Sequence, residues 1–153
     1  MKNGRIHETD AANLKQLGEF IENTFKYNLV DEAGITSIPP LDCWEKEPTV
    51  LRNDDYETYF MNEEGTNKLM IKLNWVEKKK LNYLVLKEAI PFSQRVEKFK
   101  VCYEENGSMK ECYNGTTIGY KKIIDLKGIQ TDCLAIVIED SRVAPVMSFV
   151  GVY

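Results

Sequence analysis

The strongest constraint on the fold lies between Gln94 and Leu126, QRVEKFKVCYEENGSMKECYNGTTIGYKKIIDL. Phe99, Val101 and Tyr103 alternate with Lys98, Lys100 and Cys102, so an extended chain has one face to bury and one to hydrate. Asn106-Gly107 follows, flanked by Glu105 and Ser108, and this dipeptide suits the positive φ angles of a tight hairpin. Tyr113, Ile118, Tyr120, Ile124 and Leu126 carry the apolar pattern onward, with a second turn or bulge signal at Asn114-Gly115. The stretch reads as a run of antiparallel strands.

Other strand signals surround it. Leu69, Ile71, Leu73 and Trp75 alternate against Lys68, Met70, Lys72 and Asn74. From Leu81 to Ile90, Tyr83, Val85 and Lys87 share one parity, and Leu84 and Leu86 the other. Cys133 to Ile138 is apolar on both parities, as in a strand covered on both faces, and Ser148 to Tyr153 closes the chain with a short strand. Lys78-Lys79-Lys80 reads as a solvated turn, Asp31 to Pro40 as a linker broken by Gly34, Ser37 and Pro39-Pro40, and Asn53-Asp54-Asp55 as a loop. Seven or eight short strands without alternating helices predict an antiparallel sandwich or barrel. Pattern alone does not choose between a jelly roll and an immunoglobulin-like topology.

One long helix is predicted, from Asp10 to about Asn28. Leu14, Leu17, Ile21, Phe25 and Leu29 fall at helical steps and form a single apolar stripe. Thr9 is the expected N-cap, and Gly18 suggests close packing against another surface, since glycine weakens a helix interior. The stripe needs a partner.

A chain of 153 residues, 43% hydrophobic and 29% charged, suits one soluble domain with a real core. The net charge of -4 excludes a general nucleic-acid-binding face, and no apolar run is long enough to span a bilayer. The first residues, MKNGRIH, lack the apolar core of a signal peptide. Glycine-rich phosphate loops, GxSxG and HExxH are all missing, and the single His7 is expected at the surface or as a cap. Cys102 and Cys112 would face each other if the hairpin loop held three residues, although a domain of this size does not need a disulfide.

GTTIGYKKI (Gly115 to Ile123), preceded by QRVEKF (Gln94 to Phe99) and followed by DSRVAPVMSFVGVY (Asp140 to Tyr153), resembles the carboxy-terminal β-sandwich of bacterial α-L-fucosidases. GRIHETDAANLKQLGEF (Gly4 to Phe20) is similar to the segment that closes the catalytic barrel in that family. The resemblance implies an antiparallel jelly-roll sandwich of the galactose-binding-like kind, preceded by one amphipathic α-helix. Residues 1–30 would be the terminal helical segment of a catalytic barrel and 31–153 the sandwich domain. Its partner would be that barrel, and its parent a retaining glycoside hydrolase of the periplasm or exterior. The family's nucleophilic Asp and acid/base Glu belong to barrel loops that no residue here matches, so this chain alone should not cleave fucosides.

A self-standing module for fucose- or galactose-containing glycans is the alternative. Such modules combine an aromatic platform with polar groups at one end of the sandwich, which makes Trp44, Tyr120 and Arg142 the candidate carbohydrate contacts. Each has a plainer reading: Tyr120 packs in a strand beside Ile118, Arg142 ion-pairs with neighbouring Asp140 to brace its loop, and Trp44 joins the core. Trp75 is expected in the core, and Glu88 and Arg95 are expected to pair at the other strand entry. The acidic loop from Asn53 to Tyr59 resembles the calcium loop of discoidin-like domains, yet Phe149 stands where such domains place a Glu. The reading is therefore of a solvated turn, with no metal and no cofactor.

Overall fold

The structure is a computed structural model that describes residues 6–38, 47–55, 57–62 and 65–153. It contains one α-helix, α1 (Glu8–Thr24), and seven strands: β1 (Gly34–Ile38), β2 (Phe60–Met61), β3 (Leu69–Glu88), β4 (Val96–Glu105), β5 (Ser108–Gly115), β6 (Lys122–Ser141) and β7 (Val146–Val152).

All pairings are antiparallel, and the two 20-residue strands, β3 and β6, organise them. Their far halves, Leu69–Asn74 and Cys133–Ile138, form a layer in the order β1-β3-β6-β4-β5. Their near halves pair from Lys79 and Thr131 onward and form a second layer with β7 and β2. Between the halves the register slips: Trp75 to Lys78 stand opposite Asp132 alone. Such an excess on one strand bends it sharply. Val76 lies fully outside the bend at 99% exposure, while Trp75 lies within it at 6%. The expected solvated turn at Lys78–Lys80 is therefore a correction, because these residues lie inside β3 and the chain changes layer without leaving the ladder.

Inward residues of both layers meet in one core. Leu69, Ile71 and Leu73 of β3, Phe99 and Val101 of β4, Ile136 and Ile138 of β6, and Val150 and Val152 of β7 are all buried in it. The sandwich expected from the sequence is the fold observed, built from seven described strands rather than from uniformly short ones. The hairpin forms at Asn106 (φ 54°) and Gly107 (φ 80°), the two positive φ angles of a type I′ turn, with Glu105 opposite Ser108. The loop thus holds two residues, not three. Cys102 stands opposite Glu111, a slip follows between Val101 and Cys102, and both thiols are free. Cys112 is exposed as a residue, but its sulfur turns in to donate to the Val101 carbonyl at 3.4 Å. Burial there pushes its thiol up to about 11.

The predicted linker at Asp31 to Pro40 is also corrected over its described part. Leu29–Glu32 is a 3-10 turn with Val30 fully buried, and Gly34–Ile38 is a strand on the edge of β3. Helix α1 begins two residues earlier than expected and ends at Thr24, short of Asn28: His7, not Thr9, is the N-cap, its Nδ1 accepting from Thr9 N at 3.3 Å. No residue of α1 is buried.

Core position and helix stripe should respond in opposite ways. Ile136→Ala, which empties part of the shared core, is expected to cost about 2–5 kcal/mol in urea unfolding. Leu17→Ala on α1 is expected to change stability by less than about 0.5 kcal/mol, since it buries nothing in this chain.

Candidate functional sites

Two surfaces have features that a fold alone does not require. The first is the stripe on α1. Leu14, Leu17, Phe20 and Ile21 are 57%, 54%, 52% and 48% exposed, and Ile6 continues the row. A methyl group added at Gly18 would meet nothing within 4 Å, so the close packing expected there is not made within this chain. The stripe ends at Phe25, whose ring lies 5.6 Å from Tyr83 and 4.9 Å from Tyr153, edge-on to the latter.

The second surface is the end of the sandwich where β3 leaves for β4, β5 for β6 and β6 for β7. Glu88 organises it. Its side chain is 2% exposed and continues the buried parity of Leu84 and Leu86. One carboxylate oxygen accepts from Arg95 N at 2.7 Å and Val96 N at 2.9 Å, and the other from Gly119 N at 2.6 Å. The Glu88 N–H donates back to Gly119 O at 2.9 Å, and Ser148 Oγ donates to Glu88 O at 3.2 Å. A buried carboxylate needs such donors, and here backbone amides supply them instead of a cation. The expected Glu88–Arg95 ion pair is corrected accordingly. The Arg95 guanidinium instead donates to the carbonyls of Phe92 at 3.0 Å and Ala144 at 2.7 Å.

Of the candidate glycan contacts, Trp44 lies outside the described residues. Tyr120 is not packed in a strand, which corrects that reading. It stands in the connection between β5 and β6, 56% exposed, with Lys87 Nζ 6.0 Å from its ring centre. Lys87 also pairs with Asp54 at 2.5 Å. Arg142 pairs with Glu97 through Nε at 2.8 Å, which corrects the expected Asp140 partner, and its backbone N–H donates to Arg95 O at 2.9 Å. Glu88 therefore places Tyr120 and Arg142 on one end of the sandwich, through Gly119 on one side and Arg95 on the other. An open groove of about 510 Å³ is lined by Met61, Gly65, Phe92, Arg95, Val143 and Ala144, next in sequence to Arg142 but without Tyr120, which instead lines a small depression with Asp54, Lys87 and Ile90. Tyr59 packs on Phe92 at 4.6 Å at the rim of the groove. Trp75 is buried as expected, its indole N–H donating to Leu29 O at 2.8 Å.

The acidic loop is occupied by its own hydrogen bonds. Asp55 Oδ1 accepts from Glu57 N, Thr58 N and Thr58 Oγ at 2.9, 2.6 and 2.8 Å, and Asp54 is held by Lys87. Among the described residues no three His, Cys, Asp or Glu side chains converge as a metal site.

Of the residues that shape this end, Glu88 carried the most readable sign, an acid placed on an apolar parity. The Tyr120 connection carried none, because GTTIGY fits a strand as well as a loop.

An antiparallel β-sandwich with an open loop end and one exposed helical stripe describes a module that accompanies a larger body. The comparisons agree. No family model matches the chain. It is 26% identical to α-L-fucosidase 1 of Arabidopsis thaliana over 155 residues, which covers 98% of this chain and 31% of that relative. A Ruminococcus gnavus GH29 fucosidase solved in complex with fucose shares 25% identity and a TM-score of 0.87, across 98% of this chain and 31% of that one. Chitosan-binding module 1 of a Paenibacillus sp. IK-5 chitosanase/glucanase superposes with a TM-score of 0.71 over 83% of this chain and 98% of the module. At 13% identity that likeness concerns the fold alone. The chain thus spans about a third of the fucosidases it resembles and corresponds to one domain of larger enzymes. Plant as well as bacterial proteins share the likeness, so it is not confined to bacterial enzymes. The described residues show none of the alternation of parallel strands and helices that a catalytic barrel requires.

Removing the Glu88 carboxylate should loosen the whole loop end. Glu88→Ala leaves three amides without acceptors and is expected to cost about 3 kcal/mol or more in urea unfolding, with Glu88→Gln intermediate. A second expectation concerns acid. The Thr58 N–H, followed by the Thr58 hydroxyl, holds the Asp55 carboxyl below its ordinary range. A depressed value contributes stability above the unfolded pKa that is lost as pH falls through the folded one. The gap in Tm between wild type and Asp55→Asn should therefore be open at neutral pH and close on acidification.

Proposed function

We propose that this chain is the non-catalytic carboxy-terminal accessory domain of an α-L-fucosidase-like glycoside hydrolase, and that α1 is the surface by which it buttresses the catalytic barrel. The observation that carries this reading is the α1 stripe: four large apolar side chains about half exposed, beside a glycine with open space over it. Water-facing stripes of this kind are costly unless covered, and an exposed apolar row marks an interaction site. Alignment with about a third of each fucosidase supplies the occupant, the remaining body of the enzyme. On this reading residues 1–30 belong with the barrel and 31–153 form the sandwich domain. Export of the parent to the periplasm or exterior follows from the same resemblance; the structure itself says only that no described helix is long and apolar enough to cross a membrane.

The second reading is a glycan contact at the loop end, favoured by exposed Tyr120, by Arg142 fastened to the same clasp, and by the groove against Phe92 and Arg95. Sugar rings lie on aromatic faces while polar groups fix their hydroxyls.

Purified chain should show no hydrolysis of an aryl α-L-fucoside, and it should bind a separately produced fucosidase catalytic domain in a manner lost in the Leu14→Asp/Leu17→Asp double variant. Binding that survives the double variant would remove α1 from the interface. Gly18→Ala should raise the Tm of the isolated chain, because it gains up to about 1 kcal/mol of helix propensity and meets no neighbour. Titration with L-fucose, galactose and a fucosylated oligosaccharide separates the second reading. Saturation that disappears in Arg142→Ala or Tyr120→Ala would establish the glycan contact, and no response to millimolar sugar would eliminate it.

A further inference from the structure

We infer that Phe25 to Ala33 is a rigid joint, pinned by Asn28, which holds α1 at one fixed direction to the sandwich. A helix with no buried residue, carried on a flexible linker, would move independently of the body to which it is tethered. This segment is fastened at Phe25 and again from Asn28 onward, with exposed Lys26 and Tyr27 between. Phe25 packs on Tyr83 and Tyr153, and its N–H closes the helix on Ile21 O at 2.9 Å. Asn28 Oδ1 accepts from Val30 N at 3.1 Å and from Val152 N at 2.9 Å. One side chain thereby ties the turn after the helix to the last strand of the sandwich. Leu29 O receives the Trp75 indole N–H at 2.8 Å from the bend of β3, Val30 is fully buried, and Glu32 pairs with Lys79 at 2.7 Å. Tyr153, the residue under Phe25, is itself held by paired backbone bonds with Tyr83, each 2.9 Å.

The consequence is orientation. Whatever covers the α1 stripe meets the loop end of the sandwich at a set angle and distance, with no search over linker conformations. The identity of that body rests on the accessory-domain reading; the rigidity of the joint does not.

Residual dipolar couplings of the full chain's backbone amides test this. Couplings from α1 and from the sandwich are expected to fit a single alignment tensor in the wild type. In Asn28→Ala the sandwich couplings should keep their solution, while the helix couplings shrink to about half or less as the helix gains motion. Trp75→Phe, which keeps an aromatic side chain but loses the indole donor and part of the buried ring, should move the helix couplings in the same direction, and it serves as the test if Asn28→Ala fails to fold. A wild-type helix that requires its own tensor would overturn the rigid joint. Helix couplings unchanged in a folded Asn28→Ala would overturn Asn28 as its pin. A rigid joint in a chain that ignores a fucosidase catalytic domain would sink the accessory reading and leave this inference standing.

Discussion

The structure depends on two strands that bend without breaking. β3 and β6 are each 20 residues long and remain paired across both layers of the sandwich, slipping register where Trp75 to Lys78 oppose Asp132 and again between Leu81 and Tyr83. Each supplies inward residues to both walls of the core, so neither layer can form its hydrophobic face alone. This pairing also explains why the connections between layers are few and why the remaining loops collect at the ends. Trp75 marks the inside of the bend. Its ring fills the corner while its indole N–H satisfies Leu29 O, as a buried indole requires.

The same corner fastens the helical segment. Polar groups that would otherwise be stranded at the margin of the core are satisfied across a chain separation, Asn28 with Val152 and Leu29 with Trp75. The helix itself is left with an apolar row facing water. Order at its base and exposure along its length belong together in a part made to hold something else.

At the loop end of the sandwich the logic is electrostatic. Glu88 keeps a carboxylate in the interior by offering its oxygens to the amides of three residues in two connections. Tyr120 and Arg142, far apart in sequence, stand at the same end because that clasp and the Arg142–Arg95 backbone bond place them there. No cation takes part, so the arrangement reflects backbone geometry rather than charge pairing.

Alternation and turn chemistry determined a good deal by themselves. The β4–β5 hairpin, the buried parities of β3, the doubly covered run in β6 and the amphipathic helix were all legible, because each depends on near neighbours in the chain. Resemblance in motif order then pointed to the fucosidase sandwich. What only the tertiary structure decided were matters of distant pairing. Lys78–Lys80 look like a turn because three adjacent charges demand solvent, yet a bent strand exposes them equally well. Asp31 to Ile38 look like a linker because glycine and serine weaken a strand, yet an edge place beside β3 accepts them. Tyr120 fits the period of a strand and lies in a loop because Gly119 N is claimed by Glu88. In each case the local pattern was compatible with two conformations, and a hydrogen bond or a paired strand more than 30 residues away accompanies the one observed.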